Sequence, residues 1–145
     1  MTEEKKEKVG LIWGCFEHLH YGHIKLFENA KKHCDHLIVC VHDDAYIEKF
    51  KNHKPAISAE FRAKVLESVS HVDRVDIQSS DFPDRMEAKK QMILKYNPDV
   101  ILVADCWTPQ TFTGMGLGPE VIFLPYTGGI SSTDIRKSVV KNFKE

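Results

Sequence analysis

The sequence predicts an α/β fold in which a mainly parallel sheet of five strands carries helices on both faces. Three observations lead to this prediction. Short apolar runs of strand length alternate with segments of helical periodicity along the chain. The strongest runs are continuously apolar, which is typical of strands buried on both faces of a parallel sheet. The length of 145 residues, 42% of them hydrophobic, suits one domain with a real core.

Five strands are expected, each an apolar run bounded by polar or turn-forming residues. They cover Val9 to Gly14, His36 to Val41, Val72 to Ile77, Asp99 to Val103 and Glu120 to Leu124. Because helical segments separate the runs, we expect right-handed crossovers between parallel strands. The carboxyl ends of the strands then share one edge of the sheet, where open α/β proteins bind ligands.

Four helices are expected. The first runs from about Gly22 to His33, with apolar residues on one face and lysines opposite. The second follows Ser58, which can cap it. Its apolar stripe is expected to comprise Phe61, Val65, Leu66 and Val69. The third covers about Asp84 to Tyr96, and the last runs from Asp134 to about Lys141.

The chain divides into a charged extension, residues 1–8, and a single domain, residues 9–145. The extension lacks the apolar core of a signal peptide, and no apolar stretch is long enough to span a membrane. The net charge of −1 disfavours nucleic-acid binding. Four cysteines without C-x-x-C spacing are typical of reduced thiols, so a cytoplasmic protein is expected.

The stretch W-G-C-F-E-H-L-H-Y-G-H-I-K-L lies where the first strand ends and the first helix begins. The unpaired amides and the dipole of a helix N-terminus suit an anion, and two imidazoles, His20 and His23, can donate to it. A metal site made by His18, His20 and His23 is the alternative. Their spacing matches no usual zinc pattern, and no Cys or carboxylate cluster follows. We therefore expect a phosphate site and no metal held by the protein.

A second phosphate element is T-G-G-I-S-S-T-D-I-R, residues 127–136. Its glycines let the backbone approach an anion, its hydroxyls lie at a helix start, and Arg136 lies one turn further on. A capped helix without a ligand is the alternative, because Ser131 and Asp134 fit a capping box. No P-loop motif occurs. Two phosphate elements at one edge favour a nucleoside triphosphate, whose transfer chemistry needs alignment and charge stabilisation.

The segment G-C-F-E-H-L-H-Y-G-H resembles the G-x-F-D-x-x-H-x-G-H signature of the HxGH nucleotidylyltransferase superfamily. From about Val9 to Val139 the chain is similar to the small cytidylyltransferases of that superfamily. The resemblance implies a Rossmann-like fold, a homodimer, and transfer of CMP from CTP, with Mg²⁺, to a small phosphorylated acceptor. Pyrophosphate would be released. The acceptor could be glycerol phosphate, a phosphorylated amino alcohol, a phosphonate or a sugar phosphate.

The resemblance also implies roles for individual residues. His20 and His23 would hold the α-phosphate and stabilise the transition state, and Lys54, in a basic loop from Lys49 to Pro55, would reach the phosphates, with Lys51 as a weaker candidate. The expected nucleotide-binding residues are Gly14, Cys15, Phe16, Gly22, Arg62, Asp105, Thr127, Gly129, Ile130, Ser131, Ser132, Thr133 and Arg136. The expected acceptor-binding residues are Glu17, Asp44, Trp107 and Tyr126.

The sequence departs from the family pattern at several positions. Glu17 replaces an aspartate, Ser70 and Tyr126 replace arginines, and Cys106 replaces the second aspartate of a G-D-D-W segment. These departures leave open a nucleotide-binding module that has lost catalysis. The segment I-S-S-T-D-I-R also resembles the adenylyltransferase branch of the superfamily, so ATP is an alternative to CTP.

Overall fold

The computed structural model describes residues 6–125 and 127–143, and five strands within these ranges form one parallel sheet. The strands are β1 (Val9–Gly14), β2 (His36–His42), β3 (Arg74–Gln78), β4 (Val100–Ala104) and β5 (Glu120–Leu124). Their order is β3-β2-β1-β4-β5, and every neighbouring pair is parallel. The predicted Rossmann-like fold class is confirmed, and the predicted bounds of β1 and β5 match the structure.

Five helices are present in the same ranges and cover both faces of the sheet. They are α1 (Tyr21–Ala30), α2 (Asp44–Lys51), α3 (Ala59–Glu67), α4 (Arg85–Tyr96) and α5 (Ser132–Asn142). On one face, Phe27 of α1 and Leu66 of α3 pack into a core with strand residues. On the other face, Met92 of α4 packs against β1 and β2. Burial of these apolar faces is the main favourable contribution to folding.

Helix α2 was not predicted. The loop expected to begin at Lys49 is wrong for its first residues, because these residues belong to α2. Asp43 caps α2 by accepting the backbone N–H of Tyr46, and the left-handed Asn52 (φ 57°) follows its last residue. Ile47 is fully buried. The missed signal is Tyr46, Ile47 and Phe50, since this spacing places apolar side chains on neighbouring turns of a helix.

Helix α3 begins after Ser58 as predicted, but its buried face differs from the expected stripe. Leu66 is buried, whereas Phe61 is 67% exposed and Val65 is 47% exposed. Arg62 takes the inward position, and its guanidinium donates to the backbone carbonyls of Cys15 and His42. A buried guanidinium needs such acceptors, so α3 is turned to bring Arg62 inside.

Three helix caps agree with the local sequence, although α1 ends at Ala30 and not at the predicted His33, and α5 begins at Ser132 and not at the predicted Asp134. Ser58, Asp84 and Ser131 each accept a hydrogen bond from the backbone N–H three residues later, which fixes the starts of α3, α4 and α5. All four cysteines are free thiols. Among the described residues, no helix has both the length and the apolar character needed to cross a bilayer.

Candidate functional site

Two adjoining cavities open at the carboxyl edge of the sheet, within the described residues. The larger, the main cleft, has a volume of ≈ 290 Å³ and lies above the ends of β1 and β4. The smaller has a volume of ≈ 190 Å³ and lies between the N-termini of α1 and α5. His23, Trp107 and Ser132 line both cavities. The segments predicted to bind phosphate therefore meet at one place.

His20 and His23 form a fixed pair at the N-terminus of α1. His20 is the N-cap, and its Nδ1 accepts the backbone N–H of Gly22 at 3.0 Å. The Nδ1 of His23 accepts the backbone N–H of His20 at 3.2 Å, and the two rings stack with centroids 3.8 Å apart. Because both Nδ1 atoms are acceptors, the neutral rings carry their protons on Nε2. Neither Nε2 bonds to a described residue, so the pair offers two N–H donors.

The pair is neutral near pH 7. Burial, reinforced by His20, lowers the pKa of His23 to about 4. Burial and the nearby His18 also lower the pKa of His20. These imidazoles are therefore neutral groups that can donate a hydrogen bond from Nε2, as the donors of an oxyanion hole do, and they are not permanent cations.

Tight backbone packing holds His20 in place. A Cβ atom on Gly22 would lie 2.8 Å from Cε1 and 3.0 Å from Nδ1 of the His20 ring. Phe16, two residues after β1, has a left-handed backbone with φ 49°. Its ring lies over Gly14, where a Cβ would come within 2.6 Å. The two glycines therefore let the loop pack directly against these rings.

Glu17 ties three segments together beneath the cleft. Its buried carboxylate lies 2.8 Å from Nε2 of His53 and 3.4 Å from Nη1 of Arg136. The longer side chain, relative to the aspartate of the family pattern, thus contacts both α5 and the loop after α2. Glu17 also lines the main cleft, where its acceptor-binding role stays a prediction.

The N-terminus of α5 combines the two alternatives drawn from the sequence. Ser131 caps the helix, its Oγ accepting the backbone N–H of Asp134 at 3.1 Å. Ser132, Thr133 and Arg136 also line the main cleft. Nη2 of Arg136 lies 3.3 Å from Oγ1 of Thr133, which holds the guanidinium beside the helix start. A capped helix and an anion site are therefore compatible here.

The structure brings many of the predicted site residues to the two cavities. Those lining one or both are Gly14, Cys15, Phe16, Glu17, His20, Gly22, His23, Trp107, Thr127, Ser131, Ser132, Thr133 and Arg136. Gly129 and Ile130 lie in the loop before α5 but do not line either cavity. Tyr126 lies outside the described residues.

Other predicted residues lie away from the cavities. Lys54 is exposed and lines neither one, whereas Lys51, the weaker candidate, lines the main cleft. Arg62 and Asp44 pair at 2.7 Å behind the loop that follows β1. Asp105 is exposed at the end of β4, outside the lining of both cavities. Arg62 and Asp44 hold the loop rather than face the cleft.

Sequence reasoning missed the far wall of the main cleft. This wall comprises His42, Tyr46, Arg85 and Lys89, and the same four residues line a third cavity of ≈ 220 Å³. Only the structure shows the position of Lys89. It lies on the buried side of α4 beside Ala88 and Met92, and lysine is seldom buried without a reason.

Comparisons with known proteins identify the family of the chain. Residues 11–138 match the model of the cytidylyltransferase-like family. The chain is 37% identical over 134 residues to glycerol-3-phosphate cytidylyltransferase of Bacillus subtilis, covering 91% of this chain and 97% of that protein. It is 35% identical over 133 residues to the bifunctional protein HldE of Hyphomonas neptunium, covering 88% of this chain. It spans only 26% of that HldE protein.

Solved structures share the fold at lower identity. A lipopolysaccharide core biosynthesis protein from Thermoplasma volcanium has a TM-score of 0.68 at 20% identity, covering 84% of this chain and 99% of the other. A bifunctional NMN adenylyltransferase/ADP ribose pyrophosphatase from Francisella tularensis has a TM-score of 0.67 at 15% identity. That match covers 97% of this chain and 43% of the other. The family match and the similarity to the Bacillus subtilis protein show that the chain belongs to the cytidylyltransferase-like family.

Proposed function

We propose that this protein transfers CMP from CTP to a small phosphorylated alcohol and releases pyrophosphate. One observation carries the proposal: the neutral pair His20 and His23 offers two N–H donors in cavities that also take in the N-terminus of α5. Family membership and the similarity to glycerol-3-phosphate cytidylyltransferase support the nucleotide and the acceptor class.

In the proposed reaction, an oxygen of the acceptor phosphate forms a bond to the α-phosphorus of CTP. The bond from the α-phosphorus to the oxygen bridging the α- and β-phosphates breaks, and its electron pair leaves with pyrophosphate. The acceptor phosphate reacts as an anion, so no proton has to be removed. His20 and His23 donate from Nε2 to the α-phosphate oxygens and stabilise the charge that develops there.

The α5 side of the cleft is proposed to hold the triphosphate. The helix start at Ser132 and Thr133 provides backbone amides, and Arg136 provides a cation one turn further on. Lys51 also lines the main cleft and is proposed to contact the phosphates in place of Lys54, which lines neither cavity. These groups would hold CTP with its α-phosphorus next to the histidine pair.

We propose that Mg²⁺ is carried by the triphosphate. Among the described residues, no group of three His, Cys, Asp or Glu side chains could hold a metal ion. We therefore propose that the magnesium ion takes its ligands from phosphate oxygens and water, as Mg²⁺ commonly does. The ion would neutralise part of the charge of the leaving pyrophosphate.

The first experiment is pyrophosphate release with CTP or ATP and a panel of phosphorylated acceptors. We expect turnover with CTP and a small alcohol phosphate. Turnover with ATP but not with CTP would instead support adenylyl transfer, the alternative suggested by I-S-S-T-D-I-R. A rise in melting temperature with CTP but no turnover with any acceptor would support a binding module without catalysis.

We also propose a cytoplasmic homodimer. The dimer is implied by the resemblance to cytidylyltransferases and supported by Phe61 and Val65, which lie one turn apart on α3 and are left uncovered. The free thiols, including the exposed Cys106, support a reducing compartment. Light scattering should give twice the chain mass for the wild type, and the Phe61→Ser, Val65→Ser double variant should weaken association.

A further inference from the structure

A continuous chain of polar contacts connects the end of α2 to the start of α5 beneath the main cleft. Nδ1 of His53 lies 3.0 Å from the backbone carbonyl oxygen of Lys51, and Nε2 of His53 lies 2.8 Å from one oxygen of the Glu17 carboxylate. The other oxygen of Glu17 lies 3.4 Å from Nη1 of Arg136. We call this chain, from Lys51 through His53 and Glu17 to Arg136, the carboxylate bridge. Its two ends are the cations proposed above to contact the triphosphate.

The charge of Glu17 is opposite to that of the other ionised groups around it. Glu17 is the one carboxylate among the described residues that line the main cleft. Four cations line it too, namely Lys51, Arg85, Lys89 and Arg136. Glu17 is only 6% exposed, and a buried carboxylate is costly unless donors or cations surround it. An unpaired carboxylate here would also repel a triphosphate, so Glu17 needs both of its partners.

His53 is held at both of its ring nitrogens. One nitrogen faces the carbonyl that ends α2, and the other faces the buried carboxylate. Both neighbours are acceptors, so both hydrogen bonds form together when the ring carries a proton on each nitrogen. In that state the ring also balances the charge of Glu17. His53 therefore fixes the end of α2, and with it Lys51, to the loop that follows β1.

The length of the Glu17 side chain allows it to contact both neighbours. The family pattern has an aspartate at this position, which is one methylene shorter. One carbon–carbon bond is about 1.5 Å long, so an aspartate on the same backbone would leave at least one contact beyond hydrogen-bonding distance. The glutamate is therefore suited to a partner on each side, His53 on the loop after α2 and Arg136 on α5.

We propose that His53 and Glu17 are positioning residues that hold Lys51 and Arg136 at a fixed separation around the triphosphate. This inference rests on the transfer reaction proposed above and identifies the groups that arrange its phosphate-binding cations. Without the carboxylate bridge, the end of α2 would become ordered only when the nucleotide binds. That ordering would cost part of the binding free energy, so the bridge raises the affinity for the triphosphate by preorganisation.

The test is calorimetric titration of His53→Ala with CTP and with CMP. Only CTP carries the β- and γ-phosphates, so CMP is the internal control. We expect the Kd for CTP to rise at least about 5-fold and the Kd for CMP to change by less than about 2-fold. His33→Ala removes an exposed histidine elsewhere and should match the wild type with both nucleotides.

The conservative variant His53→Gln tests whether the bond to Glu17 is the cause. The side-chain amide of glutamine can donate to the carboxylate as Nε2 of the histidine does. The Kd for CTP should therefore stay within about 2-fold of the wild type. If His53→Gln weakens CTP binding as much as His53→Ala does, the bond is not responsible and the proposal is overturned.

Glu17→Asp tests the other half of the carboxylate bridge, because it restores the residue of the family pattern. We expect the Kd for CTP to rise at least about 5-fold here as well. Both changes break the same bridge, so adding His53→Ala to Glu17→Asp should weaken CTP binding by no more than about 2-fold further. Multiplied effects in the double variant, or tighter CTP binding by Glu17→Asp, would contradict the proposal.

Titration needs no turnover, so this inference and the proposed reaction can fail separately. If the wild type binds CTP but releases no pyrophosphate with any acceptor, the reaction fails, and the comparison of CTP with CMP still decides on the carboxylate bridge. If the wild type binds ATP and not CTP, the comparison is made with ATP and AMP. An unchanged triphosphate Kd in His53→Ala, an equal loss of monophosphate binding, or a wild type that binds neither triphosphate would overturn the inference.

Discussion

At the scale of single residues, the state of the two imidazoles determines what the site can do. His20 and His23 use Nδ1 as a hydrogen-bond acceptor, and both have a lowered pKa. Neutral rings with the proton on Nε2 can donate a hydrogen bond to a phosphate oxygen, and they take no proton from the phosphate. The strength of these hydrogen bonds can increase as negative charge develops in the transition state, which is the condition for catalysis rather than tight substrate binding.

The Gly22→Ala variant tests whether the position of the His20 ring matters. The added Cβ would lie 2.8 Å from the ring, which must then move and lose its bond to the Gly22 amide. We expect kcat to fall by roughly 10- to 100-fold, because small displacements of a positioning group are costly. Circular dichroism and the melting temperature should stay close to wild type. An unchanged kcat would show that the ring position is not critical.

The motif histidines could be predicted from the sequence, but their tautomers could not. The tautomer follows from two backbone amides that become available only when α1 begins at Tyr21. Lys89 was missed for a related reason. Its buried position depends on Trp13 and Phe112, which come from distant parts of the chain and meet it only in the folded protein.

At the scale of elements, Arg62 connects α3 to the loop that carries the histidines. Its guanidinium donates to the carbonyls of Cys15, His42 and Ile57 and pairs with Asp44. These acceptors would lose their donors together if Arg62 were removed. The arginine therefore stabilises the backbone of the site without lining the cleft.

The Arg62→Met variant should lose about 2–4 kcal/mol of unfolding free energy, because buried acceptors are left unsatisfied. Urea denaturation measures the loss. Lys64→Met is the matched control on the same helix, since the Lys64 side chain is 77% exposed and its contact with Glu67 is 3.7 Å long. It should change stability by no more than about 0.5 kcal/mol. Equal losses in the two variants would contradict the structural role of Arg62.

Strands and helix caps were more predictable than helix faces. The bounds of β1 and β5 follow from apolar runs, and the caps of α3, α4 and α5 follow from local side-chain chemistry. The face of α3 was wrong because Arg62, a polar residue, occupies the buried position. Periodicity assigns polar residues to the surface, so it cannot anticipate a guanidinium that binds carbonyls from other segments.

At the scale of the whole molecule, buried neutral histidines couple folding to pH. The pKa of His23 is lowered to about 4 and that of His42 to about 3, in both cases mainly by burial. Below pH 6.5 the unfolded chain binds protons at these residues, whereas the folded chain does so only at lower pH. The unfolded state therefore takes up more protons, and the free energy of unfolding decreases as the pH falls.

We expect the melting temperature to fall steadily from pH 7 to pH 4.5. His42→Gln should show a shallower fall over this range, because it removes one of the three histidines whose pKa is lowered, His20, His23 and His42. Asp73 and Asp76 have a lowered pKa and lose their contribution only below about 3.8, outside the window. A melting temperature independent of pH in both proteins would contradict the buried, neutral state of these histidines.

The whole site is assembled from several elements that the sheet brings together. The loop after β1, the start of α5 and the start of α1 carry the groups proposed to bind phosphate, and α4 supplies part of the opposite wall. The first three were predicted because each carries a motif at the end of a strand. The contribution of α4 was not predicted, since it comes from side chains in the middle of a helix on the other face of the sheet.

The most direct test of the central claim is acceptor-dependent pyrophosphate release from CTP by the wild type, His20→Ala and His23→Ala, with His33→Ala as an exposed control. If the pair stabilises the transition state, kcat should fall by about 10² or more in each site variant, with the fold intact and His33→Ala unaffected. Near-normal kcat in His20→Ala or His23→Ala would contradict the assignment of the site.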